Sequence, residues 1–222
     1  VTVALWYVED GCTIPLGKSG LSIAVGATNF VLFGEGDNYL SNQTTANTST
    51  ILIAPTKDKT RTALSGNSFK NIWCASGITD LSTAGYSTGA IMVSKSPNGQ
   101  QPTLNVQSSA GSALATMTVN GGVVKYGSSS AVTAVYQSGG SIQCIGTGGF
   151  GILYQGGGYH DYQSTQTMTL AHIMGGTFDL SQGYTARTVT SAIIYPGAKY
   201  YRDPNIATVS SELILSDQIG AT

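Results

Sequence analysis

Pairs of adjacent glycines recur at a constant interval in the second half of the 222-residue chain. The second glycines of four pairs are Gly122, Gly140, Gly158 and Gly176, so three successive intervals are 18 residues long. A fixed period of this size is typical of solenoids, in which each repeat forms one coil that stacks on the next. The spacing therefore predicts stacked coils over this part of the chain.

Each glycine pair separates two segments that resemble strands. Apolar and β-branched residues dominate both flanks, and the period of about 3.6 residues expected of a helix is missing. Glycine suits a corner between strands because it adopts the left-handed φ that a sharp bend requires. A fifth corner, Gly197-Ala198, follows after a slightly longer interval. The predicted corner glycines are Gly121, Gly122, Gly139, Gly140, Gly157, Gly158, Gly175, Gly176 and Gly197.

Stacked coils would align equivalent side chains in rows. The rows two and four residues after the second glycine, and five before it, are largely apolar, so we assign them to the interior. The polar row three residues after the second glycine should point outward, because alternate side chains of a strand face opposite sides. The interior rows are Val124, Ile142, His160, Phe178 and Tyr200; Tyr126, Cys144, Tyr162, Leu180 and Arg202; and Met117, Val135, Leu153, Ala171 and Ile193. The outward row is Lys125, Gln143, Asp161, Asp179 and Tyr201.

These patterns predict an all-β protein with two regions. Charged residues make up 9% of the chain, and its richness in Gly, Ser and Thr favours short strands and tight turns over surface helices. We expect a β-rich N-terminal attachment region over residues 1–85 and a short right-handed parallel β-helix over residues 86–222. A left-handed helix would show a hexad pattern of aliphatic residues, which is missing. A β-sandwich or jelly roll is the alternative, with the glycines at hairpin tips.

Charge and cysteine content exclude several classes of function. The net charge is −1 and no basic stripe is present, so we expect no nucleic-acid partner. No apolar run approaches the ~20 residues that span a membrane. Cys12, Cys74 and Cys144 are far apart and odd in number, which predicts free, buried thiols rather than disulfides or a metal site. The segment GTGGFG (146–151) lacks the ending of a phosphate loop, so no cofactor is expected.

Two carboxylates are the best-placed candidates for chemistry. Asp161 and Asp179 occupy equivalent positions on adjacent predicted coils. Such a pair can share a proton, bind a cation, or serve as the acid and nucleophile of a glycosidase. A solvated pair that repels weakly is the simpler interpretation, because Lys125 and Gln143 are the other groups of their row before the last coil and a catalytic site needs more convergent groups. We therefore do not expect an enzyme.

A second candidate is an outward aromatic row formed by Tyr136, Tyr154 and His172. Such a row can stabilise the sheet through cross-strand contacts. It can also offer a flat platform to a sugar or a protein, or form an oligomer surface. His160 is predicted to face inward and His172 outward, so the two histidines should not share a metal ion.

Taken together, the glycine-paired coils (120–202), the richness in hydroxyls and amides, the few charges, the free cysteines and the lack of a signal-peptide pattern resemble bacteriophage virion surface proteins of the β-helix type. Head decoration (cement) proteins and tailspikes belong to this group. The resemblance implies a homotrimer on the virion, assembled in the host cytoplasm. It further implies that the N-terminal region binds the major capsid protein or another virion protein.

Three functions remain open under this resemblance. The first is a capsid decoration protein that stabilises the head of a tailed phage. The second is a tail-associated spike or fibre protein that binds host carbohydrate along the solenoid. The third is a glycan-degrading enzyme that uses Asp161 and Asp179. The small size of the chain favours the first, because receptor-binding spikes usually need more coils and longer loops to form a groove.

Overall fold

The structure is a computed structural model that describes residues 50–55, 59–66, 69–81, 86–107 and 113–215, together with four strands nearer the N-terminus. The described residues form strands and turns without a helix. In chain order the strands are β1 Leu5–Val8, β2 Thr13–Leu16, β3 Asn29–Leu32, β4 Asn38–Asn42, β5 Thr50–Ile53, β6 Arg61–Gly66, β7 Phe69–Cys74, β8 Ile78–Leu81, β9 Tyr86–Val93, β10 Thr103–Val106, β11 Leu114–Val119, β12 Val123–Tyr126, β13 Val132–Gln137, β14 Ser141–Cys144, β15 Phe150–Gln155, β16 Tyr159–Tyr162, β17 Met168–Ile173, β18 Thr177–Leu180, β19 Arg187–Ile194, β20 Lys199–Arg202 and β21 Ala207–Ile214.

The strands build two parallel sheets. Odd-numbered strands form an eleven-stranded sheet and even-numbered strands a ten-stranded sheet, each in chain order. Neighbouring strands pair in parallel, as β13 does with β15 and β14 with β16. The chain therefore passes from one sheet to the other and back in every coil, which confirms the predicted parallel β-helix. A sandwich or jelly roll would need antiparallel neighbours. Within the described ranges, no helix has the length and apolar character needed to cross a membrane.

The two sheets continue across residue 85. Strand β7 pairs with β9, and β8 pairs with β10, in the same parallel sense as the later strands. The described strands before residue 85 are thus part of the same solenoid, although the 18-residue period is not visible in their sequence. Residues 21–25 (LSIAV), whose apolar and β-branched composition predicts a strand, lie outside the described residues. The attachment role of residues 1–85 and the right-handed winding stay predictions.

Left-handed glycines make the corners. The φ angles of Gly122, Gly140, Gly158 and Gly176 lie between 71° and 81°. Each corner also stacks closely on the one before: a Cβ atom on Gly158 would lie 2.4 Å from the carbonyl oxygen of Gly140. The same carbonyl accepts a 2.9 Å hydrogen bond from the Tyr159 amide. Both the bend and the stacking of coils therefore require glycine here.

The fifth corner has a different geometry. Gly197 has a φ of 81°, and the amide of Ala198 donates to the carbonyl of Tyr195. This is the pattern of a turn with proline at its second position and glycine at its third. The turn adds one residue before the corner, so Ala192 pairs with Ala171. The interior assignment of Ile193 was wrong for this reason: Ala192 points inward and Ile193 outward.

The predicted interior rows form the core in the other coils. Each row is fully buried from its first member until the last coil, as shown by Val124, Tyr126 and Met117. The last coil departs from this pattern, because Tyr200 is half-buried and Arg202 is exposed. The interior assignment of Arg202 was wrong. Its row ends at the last described coil, where Arg202 forms a 3.3 Å ion pair with Glu212 instead of packing under a further coil.

The buried thiols agree with the prediction. Cys74 and Cys144 are free and buried, whereas Cys12 lies outside the described residues. Burial raises the pKa of Cys74 to about 12, with a hydrogen bond to Thr79 acting in the opposite direction. Burial and the nearby charge of Asp161 raise the pKa of Cys144. Both thiols therefore stay protonated and unreactive at neutral pH.

Candidate functional site

Strands β16 and β18 place the two candidate carboxylates side by side. Asp161 pairs directly with Asp179 in the parallel ladder, as the repeat predicts. Each residue is 4% exposed, however, whereas Lys125 at the start of the same row is exposed. The expectation of a solvated pair is therefore wrong. Neighbouring side chains that hydrogen-bond to the carboxylates cover them on the outer face of the ten-stranded sheet.

Asp179 is held by four hydrogen bonds. Its Oδ1 accepts from the amide and the hydroxyl of Ser181 at 2.8 and 2.7 Å. Its Oδ2 accepts from the Tyr159 hydroxyl at 2.8 Å and from the Gln182 amide at 3.2 Å. Burial acts to raise the pKa of Asp179, but the donors, led by Ser181, outweigh it and lower that pKa. Asp179 is therefore a carboxylate whose lone pairs are used by the protein itself.

Asp161 has a less complete set of donors. Its Oδ2 accepts from the side-chain amides of Gln163 at 2.6 Å and Gln143 at 3.2 Å. Its Oδ1 is buried and has no hydrogen-bond partner among the described residues. No group of three or more His, Cys, Asp and Glu residues suited to a metal ion occurs in the described part of the chain. The hydrogen bonds of the pair connect β16 and β18 to each other, to β14 and to the residues that follow β18.

A buried arginine lies close to this pair. Arg187 donates to three backbone carbonyls: that of Tyr162 at 2.6 Å, that of Thr185 at 3.2 Å and that of Gln182. Burial lowers the pKa of Arg187, although the negative charges of Asp161 and Asp179 oppose that shift. The guanidinium fastens the loop that follows β18 to the core. Sequence analysis missed this role, and the available signal was the longer interval between the fourth and fifth corners.

The predicted aromatic row exists on the eleven-stranded sheet. The rings of Tyr136 and Tyr154 stack with centroids 5.3 Å apart and planes 8° from parallel. His172 meets Tyr154 edge-on at 5.8 Å. Tyr195, which the sequence analysis missed, extends the row: its ring lies 4.9 Å from that of His172, and its hydroxyl is 2.8 Å from His172 Nε2. In the strand register Ile193 pairs with His172, and Tyr195 lies directly after the end of β19.

This row has limited room for a sugar. Carbohydrates bind aromatic residues on the ring face, and Tyr136 and Tyr154 cover one face of each other. Tyr136 is 45% exposed and lines an open depression of about 220 Å³ together with Asn120 and Met174. The Asn120 side chain there is already engaged by the hydroxyl of Ser138 at 2.8 Å. The row is therefore a broad, shallow, apolar surface rather than an enclosed binding site.

The second histidine is part of the core. His160 is fully buried, and its Nδ1 lies 2.9 Å from Oε1 of Gln137. Its Nε2 has no partner in the described structure. Burial lowers the pKa of His160 to about 3, so the ring is neutral. His160 and His172 face opposite sides of the coil, as predicted.

Buried glutamines at the corners were not anticipated. Gln137 donates to the carbonyl of Tyr159 at 3.0 Å, and Gln155 donates to that of Thr177 at 2.9 Å. Each side chain thus connects the end of one strand to the first residue after the corner of the following coil. The sequence signal was a polar residue at the same place in two consecutive repeats, three before the second glycine.

These features define a parallel β-solenoid with a hydrogen-bonded carboxylate pair on one outer face and an aromatic row on the other. The sequence matches no protein-family profile and no curated protein, and the fold matches no solved structure.

Proposed function

We propose that this chain is a structural protein of a bacteriophage virion, a capsid decoration protein in which the solenoid is a rigid, non-catalytic module. The observation that carries the proposal is that Asp161 and Asp179, the best-placed carboxylates, are buried and accept hydrogen bonds from neighbouring residues. All four hydrogen bonds of Asp179 come from groups of the protein. The proposal also draws on the virion-like composition of the sequence.

Carboxylate chemistry is the main argument against the enzymatic alternative. A glycosidase needs one carboxyl group with a raised pKa to protonate the leaving group and one free to attack or to activate water. Hydrogen bonding lowers the pKa of Asp179 despite its burial. Asp161 is 4% exposed, so a substrate would first have to displace Gln143 and Gln163 from it.

The interior suits a protein that leaves a reducing cytoplasm. Cys74 and Cys144 are buried and protonated, so oxidants reach them poorly after release from the host. The continuous parallel ladders also resist local opening, because each inner strand is hydrogen-bonded on both edges. Stability outside the cell is what a decoration protein must supply.

A second candidate is a tail-associated carbohydrate-binding protein. The observation that favours it is the exposed ring of Tyr136 beside the open depression. It requires one ring face to bind a sugar without the enclosed site that most ligands use.

Quantitative mass spectrometry of purified phage particles tests the proposal. A decoration protein should be present in a copy number comparable with that of the major capsid protein and should remain on heads from which the tails have been removed. A spike should be far less abundant and should follow the tail fraction. Absence of the chain from particles that are otherwise intact would refute a virion role.

A further inference from the structure

The two outer faces of the solenoid differ in charge. The ten-stranded sheet carries the Arg61–Asp80 ion pair at 2.7 Å, exposed Lys125 and exposed Lys199 on its outer side. By contrast, strands β7 to β21 of the eleven-stranded sheet contain three charged residues: Lys70 near the start of β7, Arg187, and Glu212, which lies in register with the inward-facing Ala192 and is ion-paired with Arg202. The one arginine among them, Arg187, is buried. One outer face is therefore polar and the other nearly free of charge.

Aromatic and aliphatic side chains occupy much of this second face, with threonines and alanines between them. The strand register aligns them in one row along the solenoid, and a second row lies beside it. Trp73 is 39%, Tyr136 45% and Leu213 52% exposed. We call this surface the apolar face, and its residues are Leu52, Trp73, Met92, Thr118, Tyr136, Tyr154, His172, Ile193 and Leu213, with Ala90, Thr116, Ala134, Ile152 and Leu170 beside them.

The apolar face also has a groove of about 340 Å³ that can receive a side chain. Thr133, Gly151 and Ile152 line it. Gly151 creates the dip because it has no side chain, and a Cβ atom there would lie 2.8 Å from the carbonyl oxygen of Thr133. A sheet with shallow depressions such as this one and the one beside Tyr136 is shaped for packing against another surface.

The size of the face suits a stable protein interface. From β7 to β21 it contains eight strands, which span roughly 34 Å at about 4.8 Å per strand. Strands of six residues are roughly 20 Å long, so the face covers about 700 Å² on each copy. A pair of such faces would bury about 1,400 Å², within the usual range for specific complexes. Exposed apolar patches of this size mark interaction sites.

We propose that the apolar face binds the apolar face of a second copy of this chain. A charged partner would find no complementary groups on it, and a carbohydrate would find Tyr136 and Tyr154 stacked on each other. Two identical faces without charge do not repel one another, and self-pairing places each aromatic row against an apolar surface. The sheets would then pack at about the 10 Å separation seen between stacked sheets. This inference does not depend on the virion role.

Light scattering coupled to size-exclusion chromatography tests it on the full chain. We expect the native protein to form a dimer, because the pairing of two identical faces closes after two copies, and the double variant Tyr136→Lys with Ile152→Lys to be a monomer. The matched control is Val123→Lys with Ser141→Lys, which places two lysines on adjacent strands of the ten-stranded sheet. The control should keep the native oligomeric state. Circular dichroism and thermal melting check that each variant is folded.

A milder variant keeps the test decisive if two lysines prevent folding. Tyr136→Ser should weaken self-association at least about tenfold, because exposed tyrosines are frequent hot spots. A native protein that is monomeric at roughly 100 μM, well above the Kd of a typical specific complex, would overturn the inference. So would a folded Tyr136→Lys, Ile152→Lys variant that associates as strongly as the native chain. Loss of association in the control variant alone would place the interface on the other sheet and would also overturn it.

Discussion

The hydroxyl of Tyr162 donates a 2.5 Å hydrogen bond to the backbone carbonyl of Gln166, four residues further along the chain. Tyr126 makes the same bond to Ser130 at 2.6 Å, two coils earlier. Between them, the Cys144 thiol points to the carbonyl of Gly148 at 3.9 Å. The side chains of one interior row thus hold, through backbone carbonyls, the loops that lead back to the eleven-stranded sheet.

Removing this hydroxyl should destabilise the solenoid. Tyr162→Phe keeps the ring but leaves the carbonyl of Gln166 without its donor, which should cost about 1–2 kcal/mol in the free energy of unfolding. Tyr136→Phe is the control, because Tyr136 lies on the surface and its substitution should change that free energy by less than about 0.5 kcal/mol. Urea unfolding measures both. Equal stabilities of the two variants would contradict the structural role of the Tyr162 hydroxyl.

Two corner glycines separate the effect of a left-handed φ on stability from the effect of the close stacking of coils. Gly158→Ala imposes a left-handed φ of 81° on alanine and also places a Cβ atom 2.4 Å from a backbone oxygen. Gly197→Ala imposes the same φ with no atom within 4 Å. We expect Gly197→Ala to cost about 1 kcal/mol and Gly158→Ala about 3 kcal/mol or more. The midpoints of denaturant unfolding show which variant is less stable. A larger loss of stability in Gly197→Ala would show that the coils stack less closely than the structure indicates.

Acid should destabilise the protein through His160. Its pKa is about 3 in the folded chain and 6.5 as a free side chain, so the unfolded chain takes up a proton that the folded chain does not. The contribution of the neutral ring to the free energy of unfolding is fully present above pH ~6.5. It should fall by about 1.4 kcal/mol per pH unit as the pH drops toward 3.

Unfolding experiments between pH 6.5 and 4.5 measure this slope. His160→Leu should be less stable than the native chain at neutral pH, because it leaves Oε1 of Gln137 without its partner, but its stability should change less with pH. His172→Gln should retain the native slope. An unchanged slope in His160→Leu would mean that other groups cause the acid sensitivity.

The two carboxylates should differ in their contribution to stability. Asp179→Asn replaces an oxygen that accepts two hydrogen bonds by an amide that donates, so we expect a loss of about 2 kcal/mol or more. Asp161→Asn should cost less, because the amide can take the place of Oδ1, which has no partner among the described groups. Thermal unfolding at pH 7 compares them. A glycan-depolymerising activity that disappears in Asp179→Asn, with folding intact, would instead support the enzymatic alternative.

Local physics explains why the coils were predictable. A left-handed corner needs glycine, so Gly122, Gly140, Gly158 and Gly176 mark the repeat directly in the sequence. The alternation of side chains along a strand then orients every row, which is why His160 and Tyr126 were correctly placed inside. The prediction was wrong for Ile193 because counting from the corner glycine ignored the extra residue that the Pro196–Gly197 turn introduces.

The repeat, the strand period and the apolar inner rows were thus determined by the sequence alone, since each depends on a residue's own conformational preference or on its nearest neighbours. The burial of Asp161 and Asp179, the anchoring of a loop by Arg187 and the exposure of Arg202 at the last coil were decided by tertiary structure. Their partners belong to other coils or to loops whose path is not repeated. The apolar face likewise becomes visible when parallel strands bring Trp73, Tyr136 and Leu213, which are widely separated in the chain, into one row.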